Sequence, residues 1–243
     1  RSTLTTSSAA SDVYKRQYEA RVSVADPTWA VTTTATHTGI VDVGFSSGLG
    51  LYYYAQQGTD NFMTSTDGAV FNQVDTGFSK QWQCMANTGP IIMGLANNDA
   101  EMIYSNDGTT WDTTSLPGSG DFKKITVGGS TGTVVMVAMD NSNTIYKGTI
   151  ETDSGSTVAP QSWTSLTGTG IVAGKDVAGL AYGLGRWIIL YTDGYGAYSD
   201  NNGTTWTQLN LSTNLDGAGE AYSGLVYGNN AWVASMNQAD RLF

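Results

Sequence analysis

Apolar residues in this chain fall into short runs, often alternating with polar ones, and nearly every run stops at Gly, Asn, Asp or Ser. That is the pattern of strands joined by tight turns, and no stretch keeps a helical period long enough to compete. Four strands are predicted in each of four successive units. Ile40–Phe45, Leu51–Ala55, Phe62–Thr64 and Phe71–Val74 form the first, and Gln81–Ala86, Ile91–Leu95, Met102–Tyr104 and Trp111–Thr113 the second. The third has Ile125–Val127, Val134–Met139, Thr144–Lys147 and Ser162–Leu166, and the fourth Val177–Tyr182, Trp187–Tyr191, Gly196–Tyr198 and Trp206–Leu209.

An aromatic recurs at Trp29, Phe71, Trp111, Trp163 and Trp206, at intervals of 42, 40, 52 and 43 residues. Self-similarity at that period, with four strands inside it, predicts an all-β β-propeller built from four-stranded antiparallel blades. The blades are expected over residues 40–74, 81–114, 122–166 and 177–209. Partial units at 18–32 and 222–243 look like the last two and first two strands of a fifth blade. They either combine into a composite blade that closes the ring or mark a truncated one, the chain then being a fragment of a six- to eight-bladed protein. In the third unit, residues 148–161 read as a Gly/Ser/Thr-rich insertion that replaces a tight hairpin with a longer one.

Three of the aromatics close one local motif: Ser65-Thr-Asp67-Gly68-Ala-Val-Phe71, Ser105-Asn-Asp107-Gly108-Thr-Thr-Trp111 and Ser199-Asp-Asn201-Asn-Gly203-Thr-Thr-Trp206. The residue types have a physical rationale. Asp or Asn accepts backbone N–H groups across the turn, Gly supplies positive φ, and the aromatic ring folds back as an anchor. The fourth-unit motif resembles the Asp-box, or BNR repeat, S-x-D-x-G-x-T-W, except for Asn201 at the Asp position. The other two resemble its compact variant, common in secreted bacterial and phage propellers. Gly183-Leu-Gly-Arg-Trp187 and Gly228-Asn-Asn-Ala-Trp232 match the glycine-turn-then-Trp hairpin of the same repeats. The resemblance covers nearly everything after Tyr18 and implies that these motifs build the fold at the edge away from any ligand.

The ends carry a separate signal. Ser11-Asp-Val-Tyr-Lys-Arg-Gln17 resembles a translated sequencing adapter, which makes residues 1–17 a non-native leader and places the start of the coding region near Tyr18.

Composition narrows the partners. The 243 residues carry a net charge of −10, with 11 Lys and Arg scattered along the chain, so a nucleic-acid backbone or an anionic membrane surface would be repelled. No apolar run is long enough to insert into a bilayer. One cysteine, Cys84, reads as a buried small hydrophobe, and together with the single His37 it cannot assemble a zinc site or an internal disulfide.

Sialidases share the Asp-box, and the resemblance to them implies three arginines around a substrate carboxylate, a tyrosine nucleophile with a glutamate partner, and an acidic proton donor. Beyond the leader this chain offers only Arg21, Arg186 and Arg241. No catalytic residue is therefore assigned, and no nucleophile elbow, H-E-x-x-H pair or phosphate loop is present.

Propeller topology places ligands at the mouth of the central channel, opposite the motif turns. The segments expected there hold Asp60, Asp99, Glu101, Asp121, Asp140, Asp176, Asp193, Asp216 and Glu220, beside Trp82, Tyr195 and Tyr222. Carboxylates near aromatic rings suit neutral sugars or a hard cation such as calcium, and they equally suit a solvated acidic rim. No other cofactor is implied. The reading is a non-catalytic binding or structural module, directed at a glycan or a protein surface, on a secreted, cell-surface or virion protein. The alternative is a fragment of a sialidase-like glycoside hydrolase whose catalytic residues lie elsewhere.

Overall fold

The computed structural model describes residues 39–56, 62–79, 81–96, 99–118, 120, 122–129, 134–139, 144–152, 158–166, 171, 175–212 and 221–237. Eighteen strands are present among them, in four four-stranded antiparallel sheets and one two-stranded sheet, each in simple sequential order. Blade 1 is β1 (Ile40–Ser46), β2 (Leu51–Gln56), β3 (Phe62–Ser65) and β4 (Asn72–Val74). Blade 2 is β5 (Trp82–Thr88), β6 (Ile91–Ala96), β7 (Glu101–Ser105) and β8 (Asp112–Ser115). Blade 3 is β9 (Phe122–Gly128), β10 (Val134–Met139), β11 (Ile145–Thr152) and β12 (Val158–Leu166), and blade 4 is β13 (Val177–Gly183), β14 (Arg186–Tyr191), β15 (Tyr195–Ser199) and β16 (Thr207–Asn210). The last pair, β17 (Ala221–Gly228) and β18 (Ala231–Asn237), is the inner half of a fifth blade. The outer half expected from residues 18–32 lies outside the described residues.

Burial runs in layers across each blade. The second strand is covered on both faces, so β6 reads Ile-Ile-Met-Gly-Leu-Ala and every residue in it is buried. The fourth strand is a polar edge: β8, Asp-Thr-Thr-Ser, and β16, Thr-Gln-Leu-Asn, are largely exposed. Polar edge strands resist pairing with another chain. The turn between β13 and β14 has positive φ at Leu184 (51°) and Gly185 (77°), and that between β17 and β18 at Asn229 (49°) and Asn230 (61°). Both are the primed turns that match strand twist in two-residue hairpins.

The third blade carries a longer outer hairpin than the others. Most of the stretch read as an insertion is strand, because β11 and β12 run on in register from Thr149↔Gln161 to Thr152↔Val158. A register shift between Lys147 and Thr149 absorbs the mismatch, with Ser162 at φ 54°. Gly148 then lies beneath the Trp163 ring, where a Cβ would come within 2.8 Å of it.

The first strands β1, β5, β9, β13 and β17 lie side by side. Each carries a bulge at the same place, between Ile40 and Asp42, Trp82 and Cys84, Phe122 and Lys124, Val177 and Gly179, and Tyr222 and Gly224. A bulge sharpens twist and re-aims the side chains beside it. Neighbouring blades meet through large rings on small residues: Tyr182 of blade 4 covers Gly128 of blade 3, and Tyr227 of blade 5 covers Gly183 of blade 4, with Cβ positions only 2.2 and 2.1 Å from ring carbons. Between blades 1 and 2 the joint is polar, Asn87 Nδ2 donating to Tyr53 OH at 2.8 Å. Deeper in, Trp111 of blade 2 packs edge-on against Phe62 of blade 1 at 4.6 Å between ring centroids.

Candidate functional site

Strand alternation gives the blades two different ends. One holds the hairpins between first and second strands and the motif turns between third and fourth. The motif turns share one hydrogen-bond scheme. Ser65 Oγ donates to Asp67 Oδ1 (2.8 Å) and accepts the N–H of Gly68 (2.9 Å), while Asp67 Oδ1 accepts the N–H groups of Ala69 (2.8 Å) and Val70 (3.0 Å). Ser105 and Asp107 repeat it with Gly108, Thr109 and Thr110 at 2.8, 2.7 and 2.7 Å. The three glycines sit at φ 72°, 77° and 81° for Gly68, Gly108 and Gly203.

In the fourth blade the scheme is neutral. Asn201 Oδ1 accepts from Ser199 Oγ (2.9 Å) and the Thr205 N–H (2.9 Å), and the extra residue brings the Gly203 carbonyl within 3.1 Å of Trp206 Nε1. The compact turn provides no such acceptor, and Trp111 Nε1 is buried without one among the described residues. Trp111 and Trp206 are buried, whereas the smaller Phe71 is half-buried against Tyr54 at 4.9 Å. The N–H groups of Val70 and Ala69, with the Ser65 hydroxyl, hold the Asp67 carboxyl down at about 2. Burial opposes ionisation at Asp107, but the Thr110 and Thr109 N–H groups and hydroxyls outweigh it and keep that carboxyl low as well.

Arg186 belongs to this end. Its Nε and Nη2 donate to Asp200 Oδ1 and Oδ2 at 2.6 and 3.0 Å, and its guanidinium lies 4.2 Å from the centre of the Tyr198 ring. Asp200 lies inside the fourth motif turn, so this arginine is engaged away from the mouth.

The opposite end holds the connections that carry the sequence-derived candidates. Lys175, Asp193 and Tyr195 come together there. Lys175 Nζ donates to Asp193 Oδ2 and lies 5.4 Å from the centre of the Tyr195 ring, and the Tyr195 N–H donates to Asp193 Oδ1 at 3.2 Å. The hydrogen bond to Asp193 holds the Lys175 ammonium above its ordinary range. Asp176 is exposed beside them, its carbonyl accepting the Thr192 N–H at 3.0 Å. Asp99 and Glu101 sit together on blade 2, the Glu101 N–H donating to Asp99 Oδ1 at 3.2 Å.

Two aromatic candidates are placed differently. Trp82 and Tyr222 are each 1% exposed and occupy the same repeat position, facing the preceding blade. Trp82 packs with Phe62 and Trp111, and Tyr222 with Ala178 and Leu190, so neither offers a ring face at the mouth. The physical reason is that the residue before the inner-strand bulge is packed into the core in blades 2 to 5, where Phe122 and Val177 share this register with Trp82 and Tyr222 and are buried too. Asp60, Asp121, Asp140, Asp216 and Glu220 lie outside the described residues. Among the described residues, no three carboxylate, imidazole or thiol groups gather within metal-binding range.

Apart from Cys84, the polar residues lining the channel were not singled out in the sequence. A cavity of about 440 Å³ is lined by all five first strands, with Asp42, Gln83, Cys84, Lys124 and Thr126 as its polar side chains. Asp42, Cys84, Lys124, Gly179 and Gly224 all follow the bulge at one register position. Asp42 Oδ2 accepts the Met85 N–H of the next blade at 2.8 Å, and Oδ1 accepts the Val43 N–H at 2.9 Å. Burial nevertheless raises its pKa, against the pull of these bonds and of Lys124. Cys84 is buried, and desolvation, with Asp42 nearby, pushes its thiol up to about 12. The signal that could have found this set is the repeat itself, since aligning the inner strands stacks these five residues in one column.

With this geometry in place, solved structures give a consistent likeness. YCF48 bound to a D1 peptide matches 90% of this chain and 69% of its own, at 14% identity and a TM-score of 0.59. Virginiamycin B lyase from Staphylococcus aureus matches 87% and 68%, at 13% and 0.65, and a nidogen/laminin complex matches 84% and 74%, at 10% and 0.59. The fold is a β-propeller. Within it, the chain spans about two thirds of the length of the first two. No family model matches the sequence, and no curated protein is similar enough to count as a relative. No helix among the described residues of this propeller is long and apolar enough to cross a membrane.

Proposed function

We propose that this chain is a non-catalytic binding module that takes a polypeptide segment at the channel mouth, with Lys175, Asp193 and Tyr195 as contacts. The observation that carries the reading is the contrast between the two ends. At one, serine and carboxylate side chains are consumed by turn N–H groups and Arg186 is bound by Asp200. At the other, an ammonium, a carboxylate and a phenol converge beside a channel with polar lining. Such a trio suits a flexible polar ligand. Two structures of like fold, one bound to a peptide and one in a protein complex, support a polypeptide as the ligand class.

A second reading, a glycan ligand on a cell surface or virion, is favoured by the Tyr195 ring standing beside a carboxylate. Sugar stacking with hydroxyl hydrogen bonds would use both. Peptide and glycan arrays probed with the protein and with a Lys175→Glu/Tyr195→Ala variant test the two together. Binding to peptides that the variant loses by tenfold or more supports the first reading, and the same loss on sugars supports the second. Binding that the variant retains, or none on either array, overturns the mouth assignment. Turnover of a fluorogenic sialoside would instead overturn the non-catalytic reading.

A further inference from the structure

Each inner strand presents an edge N–H beside the channel, and the chain caps this group on some blades and leaves it bare on others. The second residues past the bulge are Val43, Met85, Ile125, Leu180 and Leu225, all at one register position. The Met85 N–H leaves its own sheet and donates to Asp42 Oδ2 on the preceding blade at 2.8 Å, while Oδ1 of the same carboxylate takes the Val43 N–H at 2.9 Å. The Ile125 N–H faces the Cys84 sulfur in the same way. In both contacts across blades the acceptor stands one register position earlier, on the blade before.

Carried further along the chain, the pattern fails for chemical reasons. The acceptor position for the Leu180 N–H is Lys124, whose ammonium has three donors and no acceptor. For the Leu225 N–H it is Gly179, which has no side chain, and none fits there: a Cβ would lie 2.7 Å from the Leu225 nitrogen and 2.5 Å from its Cβ. Among the described residues no backbone carbonyl outside their own sheets accepts either N–H. Both leucines line the cavity of about 440 Å³ together with Lys124 and Thr126. Asp42 borders the same cavity, yet both its oxygens are taken by N–H groups, and among the described residues it makes no ion pair with Lys124. An uncapped backbone N–H needs an acceptor, and two of them beside an ammonium ask for a negative one.

We infer that Lys124 and the N–H groups of Leu180 and Leu225 form an anion site in the channel wall, which takes a compact oxyanion, a carboxylate or phosphate group. Backbone N–H groups at a sheet edge supply positive dipole ends, and the ammonium turns them into charge-assisted donors' neighbours, the combination that holds oxyanions elsewhere. The site is separate from the Lys175, Asp193 and Tyr195 trio at the mouth and uses none of its groups. The cavity is polarised as a result: Asp42 makes the wall of blades 1 and 2 repel an anion, and blades 3 to 5 attract it.

Amide proton and nitrogen shifts of the intact chain, titrated with inorganic phosphate and with acetate at fixed pH and ionic strength, test this. The expected result is a saturable downfield shift of the Leu180 and Leu225 amides with at least one probe, larger than any at Met85 and Ile125, which already have acceptors. A net charge of −10 works against diffuse anion binding, so saturation reports a built site. Lys124→Gln should weaken binding tenfold or more, whereas Lys147→Gln, which removes the same charge from an outer strand, should change it less than twofold. Lys124→Asp restores the kind of acceptor that Asp42 gives Met85; it should abolish binding of both probes and slow hydrogen exchange at Leu180. Shifts that do not saturate, that leave Leu180 and Leu225 unmoved, or that keep the parent affinity in Lys124→Gln overturn the site. The parent titration alone can do so, and it stands even where a variant fails to fold.

Discussion

Gly183→Ala should loosen blade 5 from blade 4, and its cost can be worked from the joint. An ideal Cβ on Gly183 falls 2.1 Å from Tyr227 Cγ and 2.3 and 2.5 Å from its two Cδ atoms. Ordinary carbon contacts begin more than an ångström further out, and the atom struck is the ring carbon fixed to Cβ rather than a mobile tip. The whole ring must therefore leave. Overpacking of this kind costs about 1–3 kcal/mol, and losing the Tyr227–Trp232 pair adds about 0.5–1.5 kcal/mol. Alanine in a strand recovers about 0.5–1 kcal/mol of backbone entropy over glycine, so the net is about 2 kcal/mol. Urea unfolding of Gly183→Ala, Tyr227→Ala and the double variant forms the test. Once the ring is gone the added methyl has nothing to strike, so the double variant should be more stable than the sum of the singles by about 1.5–2 kcal/mol. Additive effects, or a Gly183→Ala midpoint equal to the parent's, would refute the ring-on-glycine account.

Trp206→Ala should cost about 3–5 kcal/mol in urea unfolding, as for buried Trp generally, while ligand binding by the remaining folded protein is unchanged. Asp107→Asn should preserve most of the stability at neutral pH, because Asn201 fills the same role, whereas Asp107→Ala should lose about 1–2 kcal/mol of turn hydrogen bonding. Asp67 and Asp107 have folded pKa values below the unfolded one, so their contribution is complete above about pH 4 and is lost as pH falls toward 2. Acid-unfolding curves should accordingly flatten in the Asp67→Asn/Asp107→Asn variant. Arg186→Ala should change stability by about 1 kcal/mol or less, since the pair with Asp200 is exposed.

The blades were legible in the sequence because their signals are local. Ser65, Asp67 and Gly68 specify a turn by contacts within six residues, so the period can be read from turns and aromatics alone. Strand ends moved by one to a few residues, as with β7 beginning at Glu101 rather than Met102. What escaped was set by neighbours in space. A bulge leaves no mark in a single strand, so Asp42 and Lys124 come to one column only when the five inner strands are set side by side. Trp82 and Tyr222 read as rim aromatics because their loops are polar, whereas the residue before the bulge packs into the core between blades. Residues 148–161 read as an insertion forming a longer hairpin, but how far its strands pair is set by cross-strand register rather than by local residue preference.

Each sheet is assembled from strands that follow one another in the chain, and the blades touch only through their joints. Stability in such an array is a sum of units and nearest-neighbour couplings. Cooperativity is then adjustable: a weak joint uncouples one blade while the others keep their protection from hydrogen exchange. A ring on a glycine is the setting of that coupling, and changing a single methyl group can decide whether the protein melts as one body or blade by blade.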